Sequence, residues 1–212
     1  MNDTAIHSLG LGLATRNAKN EIIEVYYPAP LLSPDAALAS LLLANCAIQS
    51  GENAVSEIDE TSARALVTKL LEAKFTEHAE QVQQINEGQG QLILCVLFTD
   101  STPTSVAEAY LKLHLLSHRL CKPHSLNLEG LFAVLHNLAW TNEGAIDLEE
   151  LPERQLAARL RGTALEVASV DKFPKMTSYV VPAGVRIAHT ARVRLGAYLG
   201  AGTTVMHEGF VN

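Results

Sequence analysis

The 212-residue chain has no apolar run near the ~20 residues that a membrane-spanning helix needs; the longest, Leu92 to Phe98, stops far short. Its start, Met1-Asn2-Asp3-Thr4, lacks the charged and apolar regions of a secretory signal. Together these features lead us to expect a cytoplasmic protein without a membrane partner. Basic residues are scarce: 16 Lys and Arg stand against 23 Asp and Glu, a formal net charge of -7. Phosphate-backbone binding releases counterions through a basic face, so no nucleic-acid partner is expected, although a small basic pocket for an anionic cosubstrate is compatible. Cysteine is scarce too. Cys46, Cys95 and Cys121 are odd in number, widely spaced and without a C-x-x-C pair, as expected of reduced, buried small hydrophobes. Charged residues make up only 18% against 48% hydrophobic, which excludes a disordered chain and leaves apolar surface for self-association.

What is present reads first as a layered domain. Glu21 to Tyr27 is rich in β-branched and aromatic residues and runs into Pro28, as a strand entering a turn would. Ser33-Pro34-Asp35 looks like a helix start, the helix running to about Ser50. Val67, Leu71, Phe75, His78, Val82 and Ile85 step by threes and fours, which predicts one long amphipathic helix over 59–86. Leu92 to Phe98 is apolar on both faces and short, so it is expected to be a central strand covered on both sides. Thr102-Pro103 should open a further helix burying Ala109, Leu113, Leu116 and Leu120, with Leu128 to Trp140 strand-rich, Leu151 to Arg161 helical and Leu165 to Val170 a strand. Residues 1–175 therefore read as an α/β domain. They contain no glycine-rich phosphate loop and no nucleophile elbow.

From Val181 the pattern changes. The chain divides into VPAGVR, IAHTAR, VRLGAY, LGAGTT and VMHEGF, followed by Val211-Asn212, and Val181, Ile187, Val193, Leu199, Val205 and Val211 open the successive units. The fifth position is small in all units but the first. Three such units close one triangular coil, with the aliphatic residue pointing into a narrow lumen and the small one allowing the corner. A helix would need spacings of three and four, and a glycine-rich meander would not keep the six-residue period. We therefore expect residues 176–212 to form the first coils of a left-handed parallel β-helix. Residues 181–212 supply fewer than two coils of eighteen, so the chain is expected to be part of a longer protein.

Val180 to Asn212 resembles the start of the β-helix in tetrahydrodipicolinate N-succinyltransferases of the type found in Pseudomonas-like and actinobacterial species, with Val205 to Asn212, VMHEGFVN, the most specific stretch. Asn137 to Asn142, an N-x-A-W-T-N stretch, is similar to one in the domain before the β-helix of such enzymes. The resemblance implies a homotrimer that transfers succinyl from succinyl-CoA to the amine of ring-opened tetrahydrodipicolinate, in lysine and diaminopimelate biosynthesis. It also implies a possible Mg2+ ligand in Glu208, but the aspartate that partners it in similar enzymes is Ala191 here. The catalytic carboxylate of similar enzymes falls in a later segment, so no catalytic residue is assigned in this chain and 1–212 alone is expected to be inactive.

Individual residues leave alternatives open. Arg186, Arg192 and Arg194 form a cationic cluster suited to a succinyl carboxylate or CoA phosphates, or to simple solvation of charge. His189 and His207, eighteen apart, should stack at one corner, where a zinc reading as in β-helix carbonic anhydrases would need a third histidine. His114 and His118, one helical turn apart, are expected on a solvated helix face. Two other readings compete with the N-succinyltransferase: another hexapeptide-repeat acyltransferase, and a non-catalytic trimerisation or binding module.

Overall fold

The structure is a computed structural model that describes residues 5–49, 51–88 and 90–212. Strands β1 (Ser8–Arg16), β2 (Ile22–Tyr26), β3 (Leu31–Leu32), β4 (Ala54–Glu57) and β5 (Gln91–Leu97) form one sheet, ordered β2-β1-β5-β4, with β3 also on β1. Every pairing in it is antiparallel. The expected central strand is β5, and its alternation feeds two cores. Leu92, Leu94 and Val96 pack under helices α1 (Ala36–Asn45), α2 (Glu60–Glu72) and α3 (Thr76–Asn86), while Ile93, Cys95 and Leu97 face α4 (Val106–Ser117) on the other side. The layering expected of an α/β domain is therefore present, built on an antiparallel sheet.

Strand β1 was not expected, because SLGLGLATR has one β-branched residue, Thr15, and no aromatic to mark a strand. Its glycines explain its place. A Cβ on Gly10 or Gly12 would stand 2.6 Å from the ring of Tyr27, so the missing side chains make the slot in which that buried ring lies.

Several boundaries differ from expectation. The helix after Ser33 begins at Ala36, because the Asp35 carboxylate caps the N–H groups of Ala37 and Leu38, while Ser33 takes a left-handed turn with φ 50°. It ends at Asn45; Ser50 lies outside the described residues. The expected helix over 59–86 is two helices, α2 and α3, because Lys74 adopts φ 65° and reverses the chain. The reversal lets Leu66 and Leu70 of one, and Val82 and Ile85 of the other, reach the same core, leaving Leu71 exposed. Helix α4 is capped by Ser105, not opened at Thr102-Pro103, and Glu108 reaches back to the Thr104 N–H at 2.9 Å. All of its residues are buried, and Leu120 lies beyond its end, exposed.

The stretch expected to be strand-rich over Leu128 to Trp140 instead holds a short helix α5 (Leu131–Val134), and strand starts only at β6 (Leu138–Thr141). With β7 (Gly144–Asp147) and β8 (Val167–Asp171), β6 makes a second antiparallel sheet ordered β7-β6-β8. Helix α6 (Leu151–Leu160) covers it through Ala158, which packs with Ala139, Ile146 and Leu165. The expected helix and strand over 151–170 are thus present. No helix among the described residues is long and apolar enough to cross a membrane.

Candidate functional site

The repeat segment follows an eighteen-residue register. Strand β9 (Arg186–Ile187) pairs in parallel with β10 (Thr204–Val205), aligning Ile187 with Val205, and Val193 bridges Val211 in the same sense. Val193, Leu199 and Val205 are buried together with Met176 and Ala197, and Ile187 packs against them. Val181 departs from the expectation that every unit-opening residue faces inward: it is 65% exposed, and Val180 packs against the interior instead. The phase is set by the turn before it, where the N–H groups of Tyr179 and Val180 both donate to the Met176 carbonyl at 2.9 Å.

The end of α4 closes one side of this segment. Ser117 Oγ donates to the Ala197 carbonyl at 3.1 Å and accepts from the Gly196 N–H at 2.8 Å, while Arg119 donates to the carbonyls of Leu199, at 2.5 Å, and Ala183, at 2.9 Å. Backbone groups along this side of the repeat segment thus find side-chain partners. Gly196, with φ 102°, permits the approach, since a Cβ there would come within 2.6 Å of Leu113.

The three arginines of the expected cluster take separate roles. Arg186 is exposed on β9. Arg192 lies 3.5 Å from the Glu208 carboxylate, both on the surface. Arg194 is half-buried: it donates to Asp171 at 2.5 Å and to the Asn212 side chain at 3.1 Å, with its guanidinium between the rings of Phe173 and Phe210. His189 and His207 are exposed, and His207 lies 3.9 Å from Glu208. A hard divalent cation needs several oxygen ligands. Glu208 is one carboxylate engaged by Arg192, with Ala191 at the position of the expected partner, and the described residues hold no group of three or more His, Cys, Asp and Glu suited to a metal. The donor set of a single chain does not fit such an ion.

Arg194 also lines a cleft of about 420 Å3 between the main sheet, the small sheet and the turn at 174–179. Glu24, Tyr26, Trp140, Asp171, Lys175 and Tyr179 contribute to its walls. Glu24 accepts from the hydroxyls of Thr15 at 3.0 Å and Tyr179 at 2.6 Å. Burial raises its carboxyl above the usual range, and these two hydrogen bonds oppose the rise.

His114 corrects the expectation of a solvated helix face. It is fully buried, with Nδ1 2.8 Å from the Tyr110 carbonyl and Nε2 accepting from the Tyr27 N–H at 3.3 Å. Burial lowers its pKa to about 3. His118 stacks on it at 6.0 Å and is half-buried, its own pKa also lowered by burial. The cysteines are free, with Cys46 and Cys95 buried and Cys121 partly so.

Comparison with known proteins accounts for most of the chain. Residues 45–133 match the family model described as tetrahydrodipicolinate N-succinyltransferase N-terminal, and residues 135–175 the one described as its middle. Proteins named 2,3,4,5-tetrahydropyridine-2,6-dicarboxylate N-succinyltransferase are 51% identical to the chain in Pseudomonas paraeruginosa, over 208 residues, and 51% identical in Vibrio cholerae, over 213 residues. The chain belongs to the tetrahydrodipicolinate N-succinyltransferase family. Each of those alignments covers 98% of the chain and 60% of the relative, so the chain spans about three-fifths of their length. A relative in Salinispora tropica is 40% identical over 99% of the chain and 58% of its own length. Among solved structures, a 2,3,4,5-tetrahydropyridine-2-carboxylate N-succinyltransferase from Campylobacter jejuni superposes with a TM-score of 0.85 at 25% identity, covering 96% of this chain and 57% of that one.

Within this N-succinyltransferase-family chain, the sequence pointed to Arg186, Arg192, Arg194 and Glu208, and the structure pairs only Arg192 with Glu208. It did not point to Glu24, Tyr179 or Asp171, which come from separate strands and a turn. The one available signal was the acid in the middle of the apolar strand Ile22–Tyr26.

Proposed function

We propose that the protein of which this chain forms the amino-terminal part is an N-succinyltransferase, moving succinyl from succinyl-CoA to the amine of ring-opened tetrahydrodipicolinate in lysine and diaminopimelate biosynthesis. The observation that carries the reading is the 51% identity to proteins of that name, extending across both the globular domain and the repeat. The eighteen-residue parallel register supports a domain boundary near residue 175, with residues 176–212 as the first coils of a left-handed parallel β-helix. In this reading the chains form a homotrimer, and exposed Arg186 and Arg192 are surface cations for the succinyl carboxylate or the CoA phosphates. Arg194, held by Asp171, would act at the edge of the same surface.

In the reaction the acceptor amine attacks the thioester carbonyl, the carbon–sulfur bond breaks, and CoA leaves as the thiol after taking up the amine's proton. This needs a positioned amine, a base, and donors for the oxyanion. We assign no base within this chain, and no step is routed through a metal because Glu208 faces Arg192. Reduced cysteines agree with a cytoplasmic setting.

The test is release of free CoA from succinyl-CoA in the presence of the cyclic imine, measured on the 212-residue chain and on a chimera carrying the remaining two-fifths of a relative. Imine-dependent CoA release by the chimera is expected. Release that ignores the imine, or requires a different acceptor, would favour another hexapeptide-repeat acyltransferase, and none at all a binding module. Calorimetry with MgCl2 should show weak or no binding; tight binding lost in Glu208→Ala would overturn that part.

A further inference from the structure

The cleft beside Arg194 is lined by neither Arg186 nor Arg192, and its chemistry is specific. On one wall stands Glu24, whose two oxygens each accept one hydroxyl, from Thr15 and Tyr179. A carboxylate has about four acceptor positions, so further positions remain for a ligand donor. No ion pair to Glu24 forms among the described residues. Around it are the rings of Tyr26 and Tyr179, 6.1 Å apart, and Trp140, fixed by its indole N–H donating to the Asp171 carbonyl at 2.9 Å. A carboxylate held by neutral donors among aromatic faces attracts an organic ammonium through charge and ring quadrupole together.

Two cations, Arg194 and Lys175, line the same cleft. Arg194 commits two nitrogens, to Asp171 and Asn212, out of five N–H donors. Lys175, whose backbone bridges that of Arg194, adds an exposed ammonium. The charged residues lining the cleft are thus Glu24 and Asp171 against Lys175 and Arg194, a balance that suits a ligand of zero net charge with separated ends. A cleft of about 420 Å3 lies at the small end of ligand pockets. We propose that this cleft binds a small zwitterion, its primary ammonium on Glu24 and its carboxylate on Lys175 and Arg194.

Trp140 is the only tryptophan of the chain and forms part of the wall, so its fluorescence reports occupancy. The chain is titrated with 6-aminohexanoate, butylammonium and hexanoate, with circular dichroism to confirm the fold of each variant. A saturable change with 6-aminohexanoate is expected, with each one-ended probe binding at least about tenfold more weakly. Glu24→Gln should weaken 6-aminohexanoate and butylammonium by about tenfold or more and leave hexanoate unchanged. Lys175→Ala, at an exposed position that the fold does not need, should weaken 6-aminohexanoate and leave butylammonium unchanged. The proposal is overturned if hexanoate binds as tightly as 6-aminohexanoate, or if Glu24→Gln folds and keeps full affinity. It is also overturned if no probe saturates by about 50 mM, or if Lys175→Ala weakens butylammonium equally. None of these readouts depends on acyl transfer.

Discussion

Two buried polar side chains on α4 show how single residues set the conditions under which this fold is stable. His114 is held neutral: its Nε2 accepts the Tyr27 N–H, so a second proton there would point donor at donor, and burial lowers its pKa to about 3. In the unfolded chain it regains an ordinary value near 6.5, so below that pH the unfolded state binds a proton the native state does not. Its contribution to stability is therefore present above about pH 6.5 and declines as pH falls toward 3, by up to about 1.4 kcal/mol per unit. The melting temperature measured between pH 7 and pH 5 should fall more steeply in the wild type than in His114→Gln, whose amide cannot titrate. Lys112 is fully buried, and its three donors reach Asp100 at 2.6 Å and the carbonyls of Ser101, at 2.5 Å, and Asn127, at 2.7 Å. Lys112→Met should cost about 3 kcal/mol in urea unfolding, toward the low end for a broken buried pair because Asp100 keeps some contact with water.

At the scale of elements, β1 and α4 organise the rest. Strand β1 places Leu9 and Leu11 in the core under α1–α3 and turns Gly10 and Gly12 toward Tyr27 and α4. Gly12→Val should destabilise by about 1–3 kcal/mol, read as a lower denaturation midpoint at unchanged slope, because the added atoms meet the buried Tyr27 and Val25 side chains. Helix α4 is more than a layer: its end donates to carbonyls of the repeat through Ser117 and Arg119. Arg119→Ala should leave the main sheet's amide exchange unchanged and raise exchange across 183–205, where the lost donors sat. The apolar run of β5 was legible because it is buried on both faces. The break at Lys74 was not, since a left-handed residue other than glycine leaves no mark in hydrophobic spacing.

For the molecule as a whole, the globular part and the repeat segment are tied at several points, among them the end of α4, Arg194, and Tyr179, whose hydroxyl donates to Glu24. Leu195 packs into the core beneath α4, and Arg194 reaches Asp171 on β8. The repeat pairs as single short strands, β9 with β10, whereas β5 is paired along both edges. Amide exchange over 181–212 should accordingly be faster than over α2 and α3, and lengthening the chain by further repeats should slow it; equal rates at both lengths would contradict the stacking argument.

The sequence by itself determined the six-residue period, the aliphatic interior of the repeat and the two-sided burial of Leu92 to Phe98, because periodicity and unbroken apolarity are local properties of the chain. It also carried the likeness to the N-succinyltransferase family, through VMHEGFVN and the N-x-A-W-T-N stretch. Only the tertiary structure decided that His114 is buried and neutral, that Val180 and not Val181 faces inward, and that Arg194 turns toward Asp171. It alone brings Glu24, Trp140, Lys175 and Tyr179 around one cleft. Those outcomes depend on which elements close over a given face, and residues more than a hundred positions apart share no pattern until the chain has folded them together.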